Sequence, residues 1–501
     1  MFRIFKFILL ALLLIVSLAV LYVIYLYSGK PRIDINYIAK INEANRVEPS
    51  LNAALIYQQA IDKFVDIEQE AKNSGKFDKP VTYASFFDTQ WQDMPQDKRD
   101  LFSENLNQNA EAMKLYKQAA QLPCYWVQRA EHPDLLMHIA MPELSQMRSL
   151  MYLLAIDAEL KIQEKNCDGA LENYFDIIKT GRLADSLKIK IHIEDLVGIS
   201  TRAQGYKRIM EMLSNGHLSN ADLERVKLFL NEYVENGADT TALQGEKMSI
   251  MDLVQHIYTP DTFGQGHFVP SAVDLLGMDD LESNGIAVWV LRTAGPILFA
   301  HRSDVEKMFD GIYEFQEQFF TTLPWESRNM TLPAQYDLEN MPYSMQFKYM
   351  VVYLYGHLMD RVSRLKYRLQ NDYNAALVIL SLHQYKLSNG QFPDSLEHLV
   401  EAGLIDSVPR DAFGPGNFIY KQLDDNFLLY SYGINYEDDG GKWGFKKHKE
   451  VTGSKTDDGL IKYKYYGDPK RIGGYGGDDV FWPLEQIETE PTDILLDKIT
   501  R

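Results

Sequence analysis

FILLALLLIVSLAVLYVIYLY, residues Phe7 to Tyr27, is the stretch from which the rest of this chain is read. It holds no charge, no proline and no glycine. About 20 consecutive apolar residues match the hydrocarbon thickness of a bilayer, so residues 1–28 are expected to form a transmembrane anchor. A removed signal peptide would have a shorter apolar core and small residues before the cut. This run ends instead in Tyr22, Tyr25 and Tyr27, which suit an interfacial aromatic belt. Arg3 and Lys6 precede the run and Lys30 and Arg32 follow it. The positive-inside rule is therefore nearly balanced, and the terminal amine tips it toward an N-terminus inside. The layout is that of a single-pass signal anchor with the bulk of the chain extracytoplasmic, on the periplasmic side of an inner membrane.

Behind the anchor, a chain of 501 residues with 46% hydrophobic content is large enough for two or three domains. The formal net charge of −19 and the lack of a basic stripe argue against nucleic acid as a partner. Acidity of this kind promotes solubility and is compatible with a cation site. Only Cys124 and Cys167 are present. Outside the cytoplasm they are open to two readings, one disulfide or two separate buried thiols.

Helical periodicity dominates residues 29–370, so an α-helical body is expected there. Ser50 to Asn73 reads as one helix with Ser50 as N-cap, and Asp97 to Gln121 as another. Leu144–Lys165 and Gly169–Asp185 read as an antiparallel pair, burying Ala170, Leu171, Tyr174, Phe175 and Ile178. This pair resembles tetratricopeptide hairpins, although no constant repeat period is present. Leu187 to Ile193, LKIKIHI, alternates like a strand, yet the following helix is extended back through it. Ser219 and Asp222 form a capping box. Gly285 to Ala300 is apolar but interrupted by Arg292, Gly295 and Pro296; it is too short to span and reads as core. Beyond Gly390 the pattern changes to a short helix and an antiparallel hairpin, NFIYKQLD and NFLLYSYG. Residues 484–501 read as a polar tail. The fold class expected is mainly α, with a small C-terminal α+β module over residues 371–483.

That module is similar to the globular domain of the major pseudopilin of type II secretion systems. The matching residues are AALVILSLHQYKLSNGQFPDSLEHLV, VPRDAFG, FLLYSYGINYEDDGG and GGDDVFWP, which span Asn371 to Pro483 in the family's order. Two departures stand out. No prepilin-peptidase site precedes the N-terminal helix, and a helical region intervenes before the module, so assembly into a pseudopilus is not implied. An insertion, roughly Lys442 to Tyr475, also interrupts the acidic loop. The helical middle itself resembles a type of uncharacterised bacterial envelope protein that carries no known activity.

The candidate chemistry is a calcium site. Hard cations take six to eight oxygens from carboxylates, amides and carbonyls, and YGINYEDDGG with GGDDV supplies them. The resemblance implies Ca²⁺ as cofactor. It puts Asn435 at an acidic ligand position, Asp478 and Asp479 in the later acidic pair, and the Tyr432 carbonyl at the ion. Asp438 is a further candidate, and Asp439 lies nearer the insertion. Catalytic patterns are poor: HExxH, GxSxG and Walker-type motifs do not occur. Ser363–Lys366 fits S-x-x-K and Lys179–Gly181 reads KTG, but the order is reversed and S-D-N is missing. His132 and His138 read as surface histidines, and Glu246 as a structural acid. The expected function is a non-enzymatic binding or scaffold protein of the bacterial envelope, with the membrane and a protein or peptide as partners. The alternative is an envelope hydrolase whose site is assembled from residues distant in sequence.

Overall fold

The structure, a computed structural model, describes residues 2–77, 80–89, 91–130, 135–237, 239–262, 266–276, 285–356, 360–441 and 479–483. The 484–501 tail, His132, Asp478 and nearly all of the acidic-loop insertion lie outside the described residues.

The protein is mainly α-helical, with one apolar N-terminal helix and a small C-terminal sheet. Helix α1, Phe2–Ser28, is long and apolar enough to cross a membrane, and its apolar side chains from Phe7 to Val23 are exposed. Helices α2 (Tyr37–Asn45), α3 (Ala53–Asp62), α4 (Ile67–Ser74), α5 (Gln96–Gln108) and α6 (Ala110–Ala120) follow. Then come α7 (Pro142–Gln163), α8 (Cys167–Arg182), α9 (His192–Ser214), α10 (Asn220–Glu232) and α11 (Thr241–Ile257). Helices α12 (Gly285–Leu298), α13 (Arg302–Thr321), α14 (Asp360–Asn389) and the short α15 (Glu397–Glu401) complete the helical set used below. Strands β1 (Ile419–Gln422), β2 (Phe427–Ser431) and β3 (Asp479–Trp482) form an antiparallel sheet in that order, with Ile419 opposite Tyr430 and Ser431 opposite Asp479.

Two large apolar cores organise these elements. The first runs through α3 to α10, with Tyr57, Tyr116, Leu154, Tyr174, Ile178 and Ile209 at its centre. It continues without a break into α14 and the sheet through Tyr373, Val378, Phe427 and Trp482. Residues 371–441 and 479–483 are thus seated on the helical body, and α14 packs against both α9 and α10. The second core gathers α11, α13 and the connections around them, with Leu253, Phe268, Phe309 and Val352 buried.

Several helices are shorter than their periodicity suggests, and the cause is a repeated device. The predicted Ser50–Asn73 helix breaks into α3 and α4, and Asp97–Gln121 into α5 and α6. At both breaks one residue acts: buried Asn109 donates from Nδ2 to the Val65 carbonyl and accepts at Oδ1 from the Val65 N–H, each at 2.9 Å. A buried extended residue needs both its backbone groups paired, and one carboxamide supplies the matching donor and acceptor. Asn42 does the same for Arg129, at 2.8 and 2.9 Å. Asn45 serves Ile189, Asn52 serves Trp126, and Gln255 serves Ile35. Asn52, rather than Ser50, is the N-cap of α3, accepting from the Ala54 N–H. The capping box at Ser219 and Asp222 is present. Both cysteines are free thiols and half-buried, so they are separate, as one alternative had it, but not the buried pair it expected.

Residues 187–191 are neither strand nor helix; α9 starts at His192. The alternation of LKIKIHI misleads because Lys190 points inward with the apolar residues, and it is 1% exposed.

Candidate functional site, a buried chain of charges

Lys190 carries the longest charged reach in the interior. Its Nζ lies 3.0 Å from Asp195 Oδ1 and 3.7 Å from Asp185 Oδ1, and it is paired with Asp239 Oδ2. A second ammonium enters from α14: Lys366 Nζ stands 2.8 Å from Asp195 Oδ2, 3.3 Å from Asp239 Oδ2 and 2.9 Å from the Asp239 carbonyl. On the other side, Arg202 Nη1 bridges Asp185 and Glu235 at 2.8 Å each. Arg182 reaches Glu235 at 3.4 Å, and the Tyr206 hydroxyl donates to the same carboxylate at 2.7 Å. The result is a continuous chain: Arg182, Glu235, Arg202, Asp185, Lys190, Asp195 with Asp239, and Lys366. Four cations face four carboxylates. That balance matters because an unpaired buried ion costs several kcal/mol.

Local structure explains how each group arrives. Asp195 sits in the first turn of α9, where acidic side chains favour the helix dipole. Its neighbour Glu194 turns back to cap the helix, accepting from the Ile191 N–H at 2.9 Å, and also binds Arg129 Nη2 at 2.9 Å. Arg129 in turn pairs with Glu143 of α7. Asp239, just before α11, is held by accepting from the Thr241 N–H and hydroxyl. The 187–191 segment is pressed against α11 at Gly245, where a Cβ would stand 1.8 Å from the Lys190 carbonyl oxygen. The neighbouring Glu246 accepts from the His192 N–H at 3.1 Å, a structural contact as expected for this acid.

The electrostatics follow the same geometry. Burial works against the charged form of Lys190, yet Asp195, Asp239 and Asp185 outweigh it and raise its pKa. Burial likewise opposes ionisation of Asp195 and Asp239, but Lys366 and Lys190 hold both below the usual carboxylate range. His192, buried beside the chain with Nδ1 lacking a hydrogen-bond partner, is pushed down to about 4 by burial, with Lys366 adding to the effect and Asp195 opposing it.

Asp185, Asp195 and Asp239 each place one carboxylate oxygen within 4.8 Å of the others, an arrangement able to hold a divalent cation such as Ca²⁺ without being specific to it. The two ammonium groups lie among those same oxygens, so a metal ion and the lysines compete for one set of charges.

The residues singled out in the sequence fall elsewhere. Tyr432 donates its N–H to Asp411 Oδ2 at 3.0 Å. Asn435 Nδ2 donates to Asp439 Oδ2 at 2.8 Å, and Asp438 Oδ1 accepts from the Tyr430 hydroxyl at 3.0 Å and the Gly440 N–H at 2.9 Å. Asp479 Oδ1 is paired with Arg368 of α14 at 2.9 Å. The acidic loop is thereby tied down by its own hydrogen bonds, and Tyr436 takes a left-handed turn within it at φ 60°. The organiser that sequence reasoning missed is Asp411, from VPRDAFG. Fully buried, it accepts from Asn371 Nδ2, the Ser431 hydroxyl and the N–H groups of Phe413 and Tyr432, all between 2.7 and 3.0 Å. Its place in a quoted motif was the available signal.

Ser363 and Lys366 are buried, with Lys366 held by the charge chain. Lys179 donates to Gln121, and Thr180 shares a 2.7 Å hydrogen bond with the Tyr57 hydroxyl. No family model, curated protein or solved structure matches the chain.

Proposed function

We propose that this protein is a membrane-anchored, non-enzymatic scaffold of the bacterial envelope, with its body outside the cytoplasm and a protein or peptide as its partner. The observation carrying this reading is the way α1 joins the body. Its apolar length is exposed, whereas Leu26 at its end is buried, Tyr25 packs at a tilt against His267 with ring centroids 4.9 Å apart, and Tyr27 donates to the Thr293 carbonyl. A helix that only addressed the chain for export would need no such socket. The connector is equally fixed, since Gln255 holds the backbone of Asp34 and Ile35.

Two further features support holding over turnover. The charges of the chain, from buried Lys190 and Asp195 out to exposed Asp185, are paired with one another and tie α8, α9 and α14 to the segments that lead into α9 and α11. An open groove along α6, lined by Met113, Lys114, Lys117, Gln121 and Asp157, offers a surface for a partner segment. The pseudopilin-like reading of residues 371–483, and with it a link to secretion and a calcium ion at Tyr432, Asn435, Asp438, Asp478 and Asp479, belongs to the same proposal. A reporter active only after export, fused behind Arg501, tests the topology. Activity together with resistance to alkaline extraction from membranes is the expected result. Activity from a cytoplasmic reporter alone reverses the orientation, and release into the soluble fraction removes the anchor.

A further inference from the structure

Helix α12 is the apolar segment that its sequence marks as core, and among the described residues one side of it is left exposed. Leu291, Gly295 and Pro296 are buried, and Leu291 joins the second core. Across the helix from Leu291 lie Trp289, 64% exposed, and next to it Ile297, 54% exposed, while Leu298, also 54% exposed, ends the helix on the side of Leu291. Trp289, Thr293 and Ile297 follow one another at helical spacing of four, so they form one stripe. The middle of that stripe is where α1 arrives: the Tyr27 hydroxyl donates to the Thr293 carbonyl.

From this juxtaposition we infer that α12 is a second membrane contact, lying in the interface of the same bilayer that α1 crosses. The inference rests on the anchor reading above. Tyr22, Tyr25 and Tyr27 place the end of α1 at headgroup depth. The stripe on α12 starts from a residue bonded to that level, and Trp289 and Ile297 lie only one helical turn, about 6 Å, to either side. An apolar stripe held at this height meets acyl chains and headgroups rather than bulk water. Tryptophan is the residue whose apolar ring and N–H suit that boundary. The charged residue on the helix is compatible with it: Arg292 is exposed and its Nη2 reaches both carboxylate oxygens of Asp274, at 2.7 and 2.9 Å, a pair suited to the headgroup layer. The socket that fixes the height is stiff. A Cβ on Gly29 would lie 2.5 Å from Thr259 and 2.6 Å from His267, so the chain leaving the membrane is pressed directly onto the body. Anchor and interfacial helix together set the orientation of the body over the membrane, which a single flexible tether would leave free.

The test uses full-length protein in lipid vesicles, with Cys124 and Cys167 replaced by serine and one cysteine introduced for an environment-sensitive fluorophore. Trp289→Cys and Ile297→Cys report on α12, Leu14→Cys on the anchor, and Leu228→Cys, exposed on α10, on open solvent. The expected result is blue-shifted emission at 289 and 297, with loss of signal to lipid-borne quenchers and protection from aqueous iodide. Emission at 289 and 297 that matches Leu228→Cys and is quenched by iodide overturns the inference while leaving the anchor intact. Protection from both quenchers means that protein covers the stripe, and overturns it equally. Failure of lipid quenching at Leu14→Cys removes the anchor reading and this inference with it.

Discussion

The ammonium of Lys366 stands 2.8 Å from Oδ2 of Asp195, joining the long helix α14 to the first turn of α9. Both groups are buried, so the contact is a tie between the C-terminal segment and the helical body made of charge in place of apolar surface. Lys366→Met leaves Asp195 and Asp239 short of one cation. The expected loss is about 3–5 kcal/mol, the usual cost of stranding one partner of a buried pair. Adding Asp195→Asn should restore part of it. Urea unfolding of the two single variants and the double variant measures the coupling, and additive losses would mean that the contact contributes nothing as a pair.

Divalent cations should separate the two acidic regions. In the native protein Lys190 competes for the oxygens of Asp185, Asp195 and Asp239. Lys190→Met should therefore be less stable without metal but gain more melting temperature on adding Ca²⁺ than the native chain does, as linkage requires for an ion bound only when folded. Any gain in the native protein that disappears in Asp438→Ala with Asp479→Ala belongs to the acidic loop. A gain lost in Asp239→Asn belongs to the buried chain.

His383 supplies a pH-dependent term of known sign. It packs against Phe392, Phe427 and Trp482, with ring centroids 5.2 to 5.9 Å away. Burial, and then nearby Lys386, push it down to about 4 from an ordinary 6.5. Between these values the unfolded chain binds the proton and the folded one does not, so stability falls as pH drops through this window and is unaffected by this group above it. His383→Phe should abolish the term. Relative to the native protein, the variant should gain roughly 2 kcal/mol at about pH 4.5 compared with neutral pH. Equal differences at both pH values would show that the ring titrates normally.

Gly245→Ala tests the packing behind the charges. The new methyl group would meet the Lys190 carbonyl at 1.8 Å, and backbone cannot swing aside as a side chain does. The expected cost is about 1–3 kcal/mol, in the range of overpacked cores, measured by thermal unfolding. A neutral outcome would mean that residues 187–191 are loosely held, and the position of Lys190 with them.

Local pattern was sufficient for much of the architecture. The unbroken apolar run determined α1, the spacing of Ala170, Leu171, Tyr174 and Phe175 determined the buried face of α8, and Ser219 with Asp222 marked the start of α10. The β1–β2 hairpin was legible from two segments rich in Tyr, Phe, Ile and Leu on either side of Asp424 and Asp425. These features are set by neighbours within a few residues, which is the range over which periodicity and capping act. The charge chain was not legible, because Arg182, Lys190, Glu235 and Lys366 look like ordinary solvated residues until α14 closes over α9. Asn109 and Asn52 were equally silent, since a carboxamide that completes a distant backbone carries no local signature. The exposed stripe on α12 belongs to the same class: composition marks Trp289 and Ile297 as apolar, but only the tertiary arrangement leaves them exposed among the described residues. Pattern determines which surfaces a segment owns; the tertiary structure decides which surfaces meet, because that depends on contacts between residues far apart in the chain.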